Sequence, residues 1–208
     1  MLDVSCIILA GGKSTRLGRN KVVEKIGNQS LIERVLSRLS ALKSDVVLVT
    51  AKDSFVPQLA DYPGLKQVND IYPERGSLGG IYTGLVASET FYNLVVACDM
   101  PFLNLDLLRY MIDLAEGYDA VIPKSNYDVL EPLHAVYSKN CIPAIESLIK
   151  KDRFSILELY PLIKVRYLEY SEVERLDPVH ISFFNINTEE ELKVAKDLVR
   201  RESKSDQR

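Results

Sequence analysis

Val4-Ser5-Cys6-Ile7-Ile8-Leu9-Ala10-Gly11-Gly12-Lys13-Ser14-Thr15-Arg16-Leu17-Gly18-Arg19-Asn20-Lys21 is the stretch from which the rest of the chain is read. Its apolar first part, residues 4–10, has the length and character of a buried strand. Two adjacent glycines then end the strand, and in open α/β sheets ligands bind just beyond the carboxyl ends of the strands. Glycine pairs allow backbone conformations and close approaches that a side chain blocks. The N–H groups of such a turn form a concave anion site. Lys13, Arg16, Arg19 and Lys21 add four cations within nine residues. A P-loop is excluded, because five residues separate Gly12 from Gly18 and Arg19 follows; a dinucleotide fingerprint is excluded because G-x-G-x-x-G is absent. The competing reading is a surface turn with solvated charges.

Outward from this loop, short apolar runs alternate with helical patterns. Leu31, Ile32, Val35, Leu36, Leu39 and Leu42 recur at helical spacing behind a capping box, Ser30 to Glu33. Strands are predicted over 46–50, 65–68, 94–98, 120–123, 134–137, 163–168 and 183–186. Helices are predicted over 80–88, 105–116 and 142–150. A second box, Thr188 to Glu191, opens a last helix with Leu192, Ala195, Leu198 and Val199 on one face. Strands separated by helices imply a three-layer α/β/α sandwich on a mostly parallel, Rossmann-like sheet, with an irregular C-terminal part that shapes an acceptor pocket. One domain is expected over 1–201, with 202–208 a disordered polar tail.

Composition bounds the function. The chain has 208 residues and a formal net charge of −3, with 47% hydrophobic and 26% charged residues, an ordinary globular balance. No basic field for nucleic acid is present, so an anionic ligand must be held locally. No segment resembles a signal peptide or a membrane span. Cys6, Cys98 and Cys141 lie far apart and read as reduced, buried thiols in a cytoplasmic protein.

A second chemical signal is Cys98-Asp99-Met100-Pro101-Phe102, in which an apolar run ends on a carboxylate. Asp99 at a strand's carboxyl end reaches the same crevice as the glycine loop. Mg²⁺ favours such a site, with one or two carboxylates beside triphosphate oxygens and water. A turn-capping Asp is the competing role. Together the two sites imply attack on phosphorus, which needs positioning and charge neutralisation more than a covalent nucleophile. An acceptor that is itself a phosphate needs no strong general base.

The order of several motifs adds a resemblance. The loop at 9–21, then Asn69-Asp70, Gly76-Ser77-Leu78-Gly79-Gly80, Cys98-Asp99-Met100-Pro101-Phe102, Glu131-Pro132-Leu133 and Phe184-Asn185-Ile186-Asn187-Thr188, resembles the molybdenum cofactor guanylyltransferases. These share the nucleotide-diphospho-sugar-transferase-like fold. The resemblance implies transfer of GMP from Mg·GTP to the terminal phosphate of molybdopterin, giving the guanine dinucleotide cofactor and pyrophosphate. It places Leu9, Ala10, Gly11, Gly12, Lys21, Asp70 and Asp99 at the nucleotide, with Arg16, Lys21 and Asp99 catalytic. Asp99 would hold Mg²⁺, and Asn185 and Asn187 would face the acceptor. Partners would be the two substrates, neither nucleic acid nor membrane, and transiently other molybdenum cofactor proteins. The family usually carries Asp where this chain has Asn20, which removes a carboxylate that could orient Lys21 or Arg16. Two alternatives follow. One is a cytidylyltransferase of the same fold, of molybdopterin-cytosine or isoprenoid type. The other is a catalytically silent nucleotide-binding regulator, against which stand Arg16, Lys21 and Asp99. His134 is expected to be a hydrogen-bonded structural histidine, and Glu189, Glu190 and Glu191 to favour a helix N-terminus.

Overall fold

Strand alternation explains the layers of the computed structural model, which describes residues 2–10, 21–51, 59, 62–73, 75–126 and 129–205, the side chains of 21 and 202–205 excepted. The strands are β1 (Val4–Ala10), β2 (Lys25–Ile26), β3 (Gln29–Ser30), β4 (Val46–Thr50), β5 (Leu65–Asn69), β6 (Tyr92–Ala97), β7 (Ala120–Asn126), β8 (Val129–Leu130), β9 (His134–Ser138) and β10 (Val165–Leu168). The helices are α1 (Leu31–Leu39), α2 (Gly76–Ala87), α3 (Leu105–Asp113), α4 (Cys141–Lys150), α5 (Tyr170–Leu176) and α6 (Glu189–Ser205). The main sheet runs β10-β7-β9-β6-β1-β4-β5, with β8 paired to β7. Every neighbouring pair along that path is parallel except those made by β9, which runs antiparallel to both β6 and β7.

Successive strand residues face opposite sides of a sheet, and here each side meets its own helices. Cys6, Ile8, Leu48, Leu94 and Val96 pack with Val35, Leu36 and Leu39 of α1 and with Leu107, Leu108 and Met111 of α3. Ile7, Val47, Val49 and Val95 turn the other way, against Leu78, Ile81 and Leu85 of α2 and Cys141, Ile145 and Leu148 of α4. Both faces are therefore covered, which is why the central strands are apolar throughout rather than alternating. A third, smaller cluster seats α6 on the β2–β3 hairpin: Leu192, Ala195 and Val199 pack with Ile26, Leu31, Phe102 and Ile186.

Both capping boxes form. Glu33 N–H donates to the Ser30 hydroxyl, and the Glu33 carboxylate accepts from Ser30 N–H. Glu191 N–H donates to Thr188 Oγ1, and the Glu191 carboxylate accepts from the N–H groups of Thr188 and Asn187. Close approach explains a glycine of α2. A β-carbon on Gly84 would stand 2.4 Å from Ile7 Cγ2, so β1 and α2 meet only because that carbon is missing.

The structure corrects several expectations. Residues 183–186 are not a strand: Ile181–Phe183 is a 3-10 turn, and the chain then passes irregularly beside Asp99. α2 starts at Gly76 rather than 80, and α3 ends at Asp113 rather than 116. Backbone 202–205 continues α6 where a polar tail was expected; nothing in its run of Glu, Ser and Lys breaks a helix. His134, expected to be hydrogen-bonded, is another such correction. It is fully buried, and neither ring nitrogen has a partner among the described residues. Instead its ring meets Phe183 edge-on, with centroids 4.9 Å apart. The short elements β2, β3, β8 and α5 carry too few residues to show a period, and the sequence reading passes over them.

Candidate active site

Parallel register brings four strand ends to one edge. Ala10 lies opposite Thr50, Thr50 opposite Asn69, and Leu9 opposite Ala97. The main chain then continues the pairing one step past the strands: Asp70 N–H donates to the Thr50 carbonyl at 2.8 Å, and Cys98 N–H to the Leu9 carbonyl at 3.1 Å. Leu9, Ala10, Asp70 and Asp99 thus lie together at one edge of the sheet, beyond the carboxyl ends of whose strands ligands bind in open α/β folds. Lys21 opens the 3-10 turn Lys21–Val23, whose Val22 is buried in the core. Gly11, Gly12 and Arg16 lie outside the described residues, as does the side chain of Lys21.

Asp70 is held in place from two directions. Its Oδ1 accepts from Tyr72 N–H at 3.0 Å and lies 2.9 Å from the Thr83 hydroxyl, while Thr83 Oγ1 accepts from Ile71 N–H at 3.0 Å. Thr83 is buried on α2 and was not singled out from the sequence. Its signal is faint, a lone hydroxyl on an otherwise apolar helix face. Gly79 lets this turn lie against α2, since a β-carbon there would stand 2.7 Å from the Tyr72 carbonyl oxygen.

Asp99 receives the C-terminal half of the motif set. Ile186 N–H donates to the Asp99 carbonyl at 3.0 Å, so Asn185 and Asn187 flank a residue tied directly to the acidic strand end. Because β9 is antiparallel, its N-terminal approach reaches the same edge: Ala97 N–H donates to the Leu133 carbonyl at 3.1 Å, and Glu131 N–H to the Pro123 carbonyl at 3.0 Å. The Glu131 carboxylate accepts from the Ser125 hydroxyl at 2.5 Å, and burial raises its pKa above the ordinary carboxylate value. His134 sits just behind, and burial alone pushes its imidazole down to about 3, so it is neutral at physiological pH.

Among the described residues no group of three or more His, Cys, Asp or Glu side chains is poised to cage a metal. The arrangement suits Mg²⁺ all the same. A half-buried Asp99 beside a segment carrying two asparagines offers hard oxygen donors, and Mg²⁺ characteristically completes its shell with triphosphate oxygens and water. Among the described residues no helix is long and apolar enough to cross a membrane.

A mostly parallel sheet whose carboxyl edge collects the end of β1, a fixed aspartate and an acidic strand end is the arrangement of the nucleotidyltransferase class of α/β enzymes. Comparison with known proteins narrows this. The MobA-like NTP transferase domain matches residues 6–164, and the chain belongs to that family. The molybdenum cofactor guanylyltransferase of Desulfosudis oleivorans is 36% identical over 197 residues, covering 93% of this chain and 94% of its own length. The solved structure of molybdopterin-guanine dinucleotide biosynthesis protein A from Archaeoglobus fulgidus matches with a TM-score of 0.82 at 29% identity, covering 95% of this chain and 100% of that one. The 2-C-methyl-D-erythritol 4-phosphate cytidylyltransferase of Thermus thermophilus, at 16% identity and a TM-score of 0.72, covers 96% of this chain and 100% of its own, and shares the fold alone.

Proposed function

We propose that this chain transfers GMP from Mg·GTP to the terminal phosphate of molybdopterin, releasing pyrophosphate. One observation carries the reading: the Ile186 to Asp99 backbone bond, which joins the Asn185–Asn187 segment, part of the resemblance to guanylyltransferases, to the acidic strand end. The full-length similarity to a molybdenum cofactor guanylyltransferase supports it.

In this mechanism an ionised oxygen of the acceptor phosphate attacks the α-phosphorus of GTP. A new P–O bond forms, the bond from the α-phosphorus to the α,β-bridging oxygen breaks, and pyrophosphate leaves with that electron pair. Lys21 and Arg16 neutralise the triphosphate, and the amides of Gly11 and Gly12 cradle it. Asp70 holds the guanosine, fixed by Tyr72 N–H and Thr83. Asp99, with Asn185 and Asn187 beside it, would hold Mg²⁺, which would withdraw charge from the phosphates. No general base is required, because the attacking oxygen is already deprotonated. The cytoplasm is the compartment where GTP is available to such an enzyme.

Thermal stabilisation by GTP, CTP, ATP and UTP, each with and without Mg²⁺, tests the nucleotide. A ligand at about 100 times its Kd adds roughly 2.7 kcal/mol. At this length that corresponds to about 5–11 °C. A Mg²⁺-enhanced shift for GTP alone is expected, followed by pyrophosphate release on adding molybdopterin. A preference for CTP would overturn the guanylyl assignment in favour of a cytidylyltransferase.

A further inference from the structure

A pocket of about 360 Å³ opens beside the Asp99 end of the site, between the end of β7, the Glu131 turn, the start of α5 and residues 179–184. It falls within the range of about 300–1,000 Å³ usual for small-molecule sites. Among the described residues its lining combines aromatic surface with one acidic group. Phe183 and Phe184 form part of the wall, and Tyr170 and His180 stack with centroids 4.7 Å apart and planes 9° apart. Glu131 is the acidic group, and Ser125 donates to one of its oxygens. A carboxylate has room for about four hydrogen bonds. Among the described residues Glu131 accepts this single side-chain bond, so most of its capacity faces the pocket unused. Among the described residues no lysine or arginine lines the pocket. It is therefore unsuited to a phosphate and suited to a flat, neutral ring that presents N–H donors.

Position sets which end of a substrate it receives. Phe184 in the wall is two positions before Ile186, whose N–H is bonded to Asp99, and two steps along the chain span at most about 7 Å. Along the sheet, Asp70 lies past β1 on the β4–β5 side, whereas the pocket lies past β9 on the β7–β10 side. Nucleotide and pocket thus flank the Asp99 centre from opposite directions.

We propose that this pocket binds the amino-oxo edge of a 2-amino-4-oxo-pyrimidine ring, with Glu131 accepting its two adjacent N–H groups and the aromatic wall stacking on its face. The edge occurs in the acceptor's pterin and in guanine; the position beyond β9 assigns it to the pterin. This rests on the acceptor named above. Paired donors on a carboxylate give geometric selectivity, and burial strengthens them.

The test is a fluorescence titration with 6-methylpterin and with 6-methyllumazine, which replaces the 2-amino group by oxygen, on the wild type and Glu131→Gln. The wild type is expected to prefer the pterin at least tenfold, GMP is expected not to displace it, and Glu131→Gln is expected to lose the preference. The GTP-induced thermal shift of the same variant should remain, which also verifies its fold. Absence of pterin binding, equal binding of the two rings by the wild type, or an unchanged preference in Glu131→Gln overturns the proposal; the wild-type comparison decides it even if the variant does not fold. Competitive displacement by GMP would move the pocket to guanine and overturn the acceptor assignment. Failure of the wild type to respond to GTP would instead refute the nucleotide assignment, a separate result.

Discussion

Gly79 stands where a single hydrogen decides the geometry of the residue proposed to bind the nucleoside, Asp70. Replacing it with alanine adds helix propensity of about 1 kcal/mol. The new β-carbon, however, meets the Tyr72 backbone oxygen at 2.7 Å. Relieving such a clash costs about 1–3 kcal/mol, and backbone yields less readily than a side-chain tip. The clash wins, and the movement falls on the turn that orients Asp70. Gly79→Ala is expected to lower the melting temperature by several degrees and to weaken GTP binding severalfold; a more stable variant with unchanged affinity would contradict this. Asp99→Ala should abolish metal-dependent transfer while leaving the fold intact, since the contact with Ile186 described above is made by its main chain. Near-normal turnover in a Mg²⁺-supported assay would remove it from the metal site. The sequence pointed to Asp99 because a carboxylate ending an apolar run is a local signal. It could not point to Thr83, whose role depends on a turn that reaches α2 from another strand.

At the scale of elements, the α6 capping box does two tasks. It satisfies N–H groups that the helix itself leaves unpaired, and it pins Asn187, whose N–H donates to the Glu191 carboxylate at 2.6 Å. Glu191→Ala is expected to cost about 1 kcal/mol of stability, in line with lost capping interactions. It should also raise the KM for the acceptor while leaving GTP-induced stabilisation unchanged. A variant that loses stability with unaltered acceptor kinetics would reduce the box to a purely structural device. Both capping boxes were legible from spacing, because their partners are three residues apart. The 183–186 segment was misread as a strand because its apolar content reflects packing. Phe183 meets the His134 ring, and Ile186 is buried with α6 and the hairpin.

At the scale of the whole molecule, the buried imidazole of His134 makes stability acid-sensitive. His134 is buried neutral, its pKa depressed from 6.5 to about 3 by desolvation. The folded-state value lies below the unfolded one, so between pH 6.5 and about 3 the unfolded chain binds the extra proton. Stability from this group is complete above the unfolded value and falls with acidification by about 1.4 kcal/mol per pH unit within that window. Urea unfolding of the wild type and His134→Leu between about pH 6 and pH 4 should give a shallower pH slope for the variant, whatever its absolute stability. Equal slopes would mean that the imidazole is protonated in the folded state. Cys6 and Cys141, raised to about 12 by burial, are fixed as inert packing groups by the same desolvation.

The sequence by itself determined the alternation of strands and helices, the residues facing each layer, the capped helix starts and the strand ends where ligands gather. Each of these follows from periods and spacings shorter than one element, which local sterics and burial enforce. Only the tertiary structure decided that β9 runs antiparallel, that Ile186 bonds to Asp99, that Thr83 fixes Asp70, and that Glu131 meets an aromatic wall. These depend on which distant segments pack together, and a single chain's local pattern contains no term for that choice.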